Sequence, residues 1–221
     1  MAVAVLPDER LLLYSPVWPT PEMRRAVDAL GDVAYLLSPN KIHNQTLRPC
    51  AEAWPGAEVH VPPGLPERCP ALPVTALLGD EAPPAWRDEF DQALTAGNVF
   101  FSEAVLLHRP SKTLLVGDLV ENFDEHTIGA AARLAARVFG VRPGGCASPE
   151  FQYYTHGADA AAAALERIAA WDFERIFLCH GQLVEAGARE VFRRVADELL
   201  ETARRRGRVA RLLFRAMARL Q

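Results

Sequence analysis

Short apolar segments alternate with amphipathic ones over the first part of the chain. Two apolar runs, Val3–Leu6 and Leu11–Tyr14, flank a Pro-Asp-Glu-Arg turn, which is typical of a β-hairpin. Thr20 followed by proline predicts a helix start, and Gly31 predicts its end. The same pattern predicts a strand, a helix and a short strand at Val33–Leu37, Thr46–Ala53 and Glu58–Val61. This part of the chain therefore has the element order of an α/β sheet.

The second part of the chain predicts a further sheet. Residues 62–90 are rich in proline and indicate covering loops with short strands. The segments that follow predict a hairpin (Val99–His108 with Thr113–Val116) and two helices (His126–Phe139 and Asp159–Ala170). A strand (Arg175–Cys179) and a long helix (Ala186–Arg206) come after them. We expect one α/β domain over residues 1–200 in which two sheets are in contact and helices lie outside them.

Composition limits the classes of partner. The net charge of −4 gives no electrostatic reason to expect nucleic acid. The four cysteines are scattered without a CxxC pair, which indicates a reducing compartment. The chain shows no signal-peptide pattern at its start and no apolar run of about 18 residues. We therefore expect a cytoplasmic protein without a transmembrane segment.

The last segment, residues 201–221, is predicted to be a separate basic amphipathic helix. Its apolar residues fall largely on one helical face and four of its arginines on the other. Such a helix could contact an anionic membrane surface or a partner protein. It could equally pack its apolar stripe on the body of the protein with the arginines outward.

Three polar side chains follow predicted strand ends. His43, Asp118 and His180 occur in the contexts SPNKIHN, LLVGDLVEN and FLCHGQ. If the strands lie side by side, two imidazoles and one carboxylate could bind zinc, iron or manganese and leave positions open for water. Each residue also has a structural alternative: a turn histidine bonded to backbone, a capping aspartate and a residue at the start of a helix.

These contexts also carry a family resemblance. The segments Ser38–His43, His108–Leu114 with Asp118-Leu119, and Cys179–Gly181 occur in the order seen in a divergent branch of unknown function within the metallo-β-lactamase superfamily. The chain resembles this superfamily over roughly residues 5 to 200. The resemblance implies an αββα sandwich, with two mixed sheets between outer helices.

The resemblance also implies that most metal ligands are replaced. The superfamily motif H-x-H-x-D-H falls on Ser38, Asn40, Ile42 and His43, of which only the last is retained. The isolated histidine of the middle of the chain is missing near Asn98. Asp118 matches the bridging aspartate and His180 the final histidine, so we expect one divalent metal on these three residues, or none.

Other polar residues near these motifs are candidates for substrate contact. Asn40 and Lys41 could bind an anionic substrate group. Glu103 could take part as an oxygen ligand or substrate contact, or be a solvated carboxylate at a strand edge. Cys179 is expected to be a buried, inert thiol, because neighbouring residues on a strand point to opposite faces.

Two functions remain open. The resemblance implies a metal-dependent hydrolase that uses one metal-bound water on an ester, amide, thioester or phosphoester. The alternative is a non-catalytic protein that binds a small molecule and has lost the metal site. Ile42, an apolar residue where the motif has a ligand, favours this alternative.

Overall fold

The computed structural model describes residues 1–98, 100, 102–123, 129 and 144–217, and for 207–217 it describes only the course of the backbone. Apart from Gly129, the predicted helix His126–Phe139 lies outside the described residues, as does Val99, the first residue of a predicted strand. Within the described part of the chain, none of the helices combines the length and apolar character that crossing a bilayer requires.

The first sheet contains five strands in the order β1-β2-β3-β4-β5, where β1 is antiparallel to β2 and the other neighbours are parallel. Their bounds are Ala2–Val5, Arg10–Tyr14, Asp32–Leu37, Glu58–Val61 and Ala76–Leu77. Leu11–Tyr14 is completely buried on both faces of the sheet. This explains why β2 is a continuous apolar run rather than an alternating one.

The second sheet contains four strands in the order β6-β7-β8-β9, at Phe90–Leu94, Ala104–His108, Thr113–Leu115 and Arg175–Phe177. The pairs β6/β7 and β7/β8 are antiparallel, and β8/β9 is parallel. The carboxyl ends of β8 and β9 therefore lie at the same edge, next to the amino end of β7.

Helices cover the outer faces of both sheets. The described helices are α1 to α6, at Pro21–Asp28, Leu47–Ala53, Leu65–Arg68, Pro149–Tyr154, Ala158–Ala169 and Ala188–Met217. The Thr20 hydroxyl accepts the N–H of Met23 at 3.2 Å and caps α1. Ser148 caps α4 in the same way, through the N–H of Phe151.

The apolar residues form three layers of core. Side chains of the first sheet, such as Leu12 and Leu37, pack against Leu106 and Leu115 of the second sheet. A second layer lies between the first sheet and α1–α3, and a third lies between the second sheet and the helices α4–α6. The protein is thus an αββα sandwich, and this fold prediction is confirmed.

The two sheets are joined at one edge. The N–H of Ala104, the first residue of β7, donates to the carbonyl of Pro39 at 2.7 Å, just after β3. The hydroxyl of Tyr14, the last residue of β2, donates to the carbonyl of Ala104 at 2.9 Å. The carboxyl ends of the parallel pairs β2/β3 and β8/β9 therefore meet at this edge, where polar loop residues converge.

Several element predictions were wrong in detail. Strand β6 was not predicted, because its sequence FDQAL lacks the β-branched residues typical of strands. Helix α6 is one helix from Ala188 to Met217, which passes through the predicted end at Arg206. The predicted separation of residues 201–221 stays a prediction.

Candidate metal centre

Three side-chain atoms form a nearly equilateral triangle at the joined edge of the sheets. The Nε2 atoms of His43 and His180 lie 3.1 Å apart, and each lies 3.1 Å from Oδ1 of Asp118. A divalent ion about 2.0–2.1 Å from each of three ligands requires them about 2.9–3.4 Å apart. The structure therefore brings together the three residues expected as ligands, and their spacing fits a metal ion.

The turn after β3 is shaped by its own side chains. The buried hydroxyl of Ser38 lies 2.8 Å from the carbonyl oxygens of both Asn40 and His43. Oδ1 of Asn40 accepts the N–H groups of Ile42 at 3.0 Å and His43 at 3.1 Å. These bonds fix the turn and direct the imidazole of His43 towards Asp118.

Ser15 was not identified by the sequence analysis. Its hydroxyl, just after β2, lies 2.9 Å from Nδ1 of His43. When Nδ1 donates to this hydroxyl, the lone pair of Nε2 faces Asp118 and His180, as a metal ligand requires. Ser15 follows the end of an apolar strand as the three candidate ligands do, and this position was the signal that could have found it.

The expected structural alternatives for the three residues do not describe the observed contacts. His43 bonds through its ring to side chains, and no helix starts directly after His180, since α6 begins at Ala188. The carboxylate of Asp118 contacts the side chains of Asn40 and the two histidines.

The three predicted substrate contacts lie in different places. Asn40 and Glu103 are completely buried beneath Asp118, where they bond to each other at 2.9 Å. The alternative of a solvated carboxylate for Glu103 is wrong, because its side chain has no exposed surface. Lys41 is partly exposed, and its side chain lies against Gly64.

The charges of the triangle depend on one another when no metal is present. Burial lowers the pKa of His43, but hydrogen bonds to Asp118 and Cys179 outweigh it and raise this pKa to about 10. The hydrogen bond to Asp118 raises the pKa of His180. Burial opposes the charge of Asp118, yet the two histidines hold its pKa well below the usual range. A proton on His43 thus compensates the buried carboxylate in the metal-free protein.

Two further residues near the centre were missed or misjudged. Burial raises the pKa of Glu121 to about 7, with help from nearby carboxylates and against the charge of His180. The expectation of a buried Cys179 is wrong: β9 ends at Phe177, and the partly exposed thiol lines the same cavity as His180. Glu121 lies beyond the strand-end positions considered in the sequence, so no local pattern marked it.

A cavity of about 320 Å³ opens onto His43 and His180. Its other lining residues are mainly apolar and include Pro16, Val17, Trp18, Ile42 and Cys179. Trp18 is 62% exposed, an unusual position for a large aromatic side chain. The cavity can thus hold a small molecule with an apolar part beside the two imidazoles.

Residues 1–139 match the family model described as a domain of unknown function, DUF4336. The chain belongs to the DUF4336 family. No curated protein matches it. The sequence match of this DUF4336 protein covers the first sheet, the second sheet as far as β8, and two of the three candidate ligands.

The DUF4336 chain is similar in fold to solved structures of metallo-β-lactamases. Its match to the DIM-1 metallo-β-lactamase covers 91% of this chain and 86% of that protein, with a TM-score of 0.61 and 12% identity. The mono-zinc form of the FIM-1 metallo-β-lactamase from Pseudomonas aeruginosa gives a TM-score of 0.58 at 11% identity, over 91% and 90% of the two chains.

A metal-soaked flavodiiron core from Synechocystis sp. has a TM-score of 0.59 and 16% identity, over 87% of this chain. The DUF4336 chain spans 50% of the length of that flavodiiron core. At these identities the likeness shows the fold alone, and the expected metallo-β-lactamase-like fold is confirmed.

The stability of the metal-free protein should fall as pH rises above neutrality. The stabilisation by protonated His43 is fully present below its unfolded pKa near 6.5 and is lost as pH rises through about 10. We expect the melting temperatures of the EDTA-treated protein and of His43→Gln to approach each other between pH 6.5 and 10. The matched variant His156→Gln, at an exposed histidine, should keep a constant difference from the parent. A constant difference for His43→Gln would contradict the assignment.

Gly181 fixes the position of His180, so Gly181→Ala should destabilise the protein. Gly181 has φ +102°, and an added Cβ would lie 2.1 Å from the carbonyl oxygen of Asn122. We expect a loss of at least about 2 kcal/mol, or about 4–8 °C in melting temperature. Gly56→Ala, where an added Cβ meets no atom within 4 Å, is the control and should change little. Equal melting temperatures would contradict this interpretation.

Proposed function

We propose that the protein is a hydrolase whose centre holds one divalent metal ion through His43, Asp118 and His180. The observation that carries the proposal is the 3.1 Å triangle of ligand atoms, with Nδ1 of His43 bonded to Ser15. Such bonds to the second ring nitrogen orient metal-binding histidines in proteins. Two proteins of similar fold, the mono-zinc form of FIM-1 and the metal-soaked flavodiiron core, also support the proposal of a metal ion at this centre.

Zinc, iron and manganese all accept this set of two imidazoles and one carboxylate. At this site, held by His43, Asp118 and His180, a metal ion would serve as a Lewis acid and would lower the pKa of water to near neutrality. Ser15 fixes the tautomer of His43, and Asn40 orients the carboxylate of Asp118. Glu121, with a pKa of about 7, can hold or release a proton close to the centre at neutral pH.

The cavity supports a small-molecule substrate with an apolar part. Val17, Trp18 and Ile42 line it beside the imidazoles and give it an apolar wall. We infer that the scissile bond is that of an ester, thioester, amide or phosphoester and that the apolar part packs on Trp18. A cytoplasmic location stays part of this proposal, as does contact of the C-terminal helix with a membrane surface or partner.

Metal binding tests the proposal directly. We expect EDTA-treated protein to take up about one equivalent of zinc, iron or manganese in equilibrium dialysis, measured by mass spectrometry of the metal. At a free metal concentration about 100 times Kd, stability should rise by about 2.7 kcal/mol. His43→Ala, Asp118→Asn and His180→Ala should lose this binding, whereas His156→Ala should retain it. A parent protein without metal, whose melting is unchanged by EDTA, would favour the non-catalytic alternative.

Hydrolysis should depend on metal and on the apolar cavity wall. We expect the metal-loaded protein to cleave at least one class within a panel of nitrophenyl esters, acyl thioesters, anilides and phosphodiesters. Trp18→Ala should raise KM for a substrate with an apolar part by about tenfold, because about 1.4 kcal/mol of contact is lost. Leu30→Ala, at an exposed residue outside the cavity, is the control. Absence of cleavage across the panel by metal-loaded protein would overturn the hydrolase proposal.

A further inference from the structure

The side-chain amide of Asn40 lies between two buried carboxylates. Its Nδ2 donates to Oδ2 of Asp118 at 2.7 Å and to Oε2 of Glu103 at 2.9 Å. Asn40 and Glu103 have no exposed surface, and Asp118 is 2% exposed. Two carboxylates this close repel each other in a medium of low dielectric unless a cation or hydrogen-bond donors lie between them. The two N–H bonds of the amide fill this role.

The orientation of the Asn40 amide is fixed by its surroundings. Oδ1 faces the backbone N–H groups of Ile42 and His43, which can only donate. The NH₂ group must therefore face the carboxylates, which accept. A reversed amide would place donor against donor on one side and acceptor against acceptor on the other.

Glu103 is equally fixed. Its Oε1 accepts the N–H groups of Gly117 at 2.9 Å and Leu119 at 3.2 Å. Its Oε2 accepts the N–H of Asp118 at 2.6 Å as well as the amide of Asn40. All four partners donate and none accepts, so these contacts stabilise the ionised carboxylate against burial, which raises the pKa of Glu103. Since both oxygens are occupied, Glu103 holds the loop that carries Asp118 and has no free oxygen to offer the triangle.

We propose that Asn40 is a positioning residue that restricts the centre to a single metal ion. It holds Oδ2 of Asp118 so that Oδ1 faces His43 and His180, and it occupies the space between Asp118 and Glu103 in which a second cation would otherwise bind. This inference rests on the proposed function, because it assumes one ion at the triangle. It adds the reason why a centre with two neighbouring buried carboxylates holds one ion and not two.

Asn40→Asp tests the inference, because it replaces the Nδ2 donor with an oxygen of the same size. Three carboxylates then surround the space, and a second cation can neutralise them in competition with a proton. We expect the bound Mn²⁺ to rise from one equivalent in the parent to two in Asn40→Asp, measured by equilibrium dialysis and metal analysis. Asn44→Asp is the matched control in the same turn, where the amide donates to the carbonyl of Lys41 at 2.6 Å. It should stay at one equivalent.

Asn40→Ala separates positioning from folding. This variant should still bind one Co²⁺, with an affinity about 10- to 100-fold weaker and an altered visible absorption spectrum, because Asp118 is no longer held. Circular dichroism of both variants, with and without metal, reports the fold. If Asn40→Asp folds only with metal, the affinity and spectrum of Asn40→Ala decide whether Asn40 positions Asp118.

The outcomes distinguish the two proposals. A parent protein that binds no ion overturns the proposed function. If the parent binds one ion, two results would overturn the role of Asn40 and leave the proposed function standing. One is that Asn40→Asp also binds one equivalent, and the other is that Asn40→Ala keeps the parental affinity and absorption spectrum.

Discussion

A carboxylate buried between two sheets requires donors or cations around it, and the carboxylate of Asp118 imposes this requirement on the whole joined edge. Oδ2 receives the amide of Asn40, and Oδ1 faces the two histidines at 3.1 Å. The loop that carries Asp118 is held by Glu103 through three backbone N–H groups. The other polar residues of the centre are arranged around this one charge, and a metal ion or a proton on His43 can complete its compensation.

The fold explains how residues so distant in sequence reach one point. Parallel pairing places the ends of β2 and β3 together in one sheet and the ends of β8 and β9 together in the other. The bonds of Ala104 to Pro39 and Tyr14 then join the two edges. The apolar layers on either side keep the edges in register, so the core determines the geometry of the centre.

Much of this could be predicted from local sequence patterns, and the exceptions have physical reasons. The strands with continuous apolar runs, such as β2 and β3, and the helix capped by Thr20 follow from patterning and capping. The positions of His43, Asp118 and His180 just beyond strands indicated that they could meet. The roles of Ser15, Glu103 and Glu121 depend on contacts with residues distant in the chain, and of these three only Ser15 lies at a strand end that the sequence marks. Strand β6 owes its existence to pairing with β7 rather than to its own residues.

The turn after β3 shows why the fold alone does not decide the chemistry. Identities of 11–16% to proteins of similar fold show that the same architecture forms from largely different residues. Ile42 packs against the core of the second sheet and lines the cavity, so its apolar side chain adds to the wall beside the centre. Asn40 instead turns inward and satisfies two carboxylates. Ile42 thus contributes to the cavity and Asn40 to the charge balance. Together these two residues of the turn suit a centre for one ion.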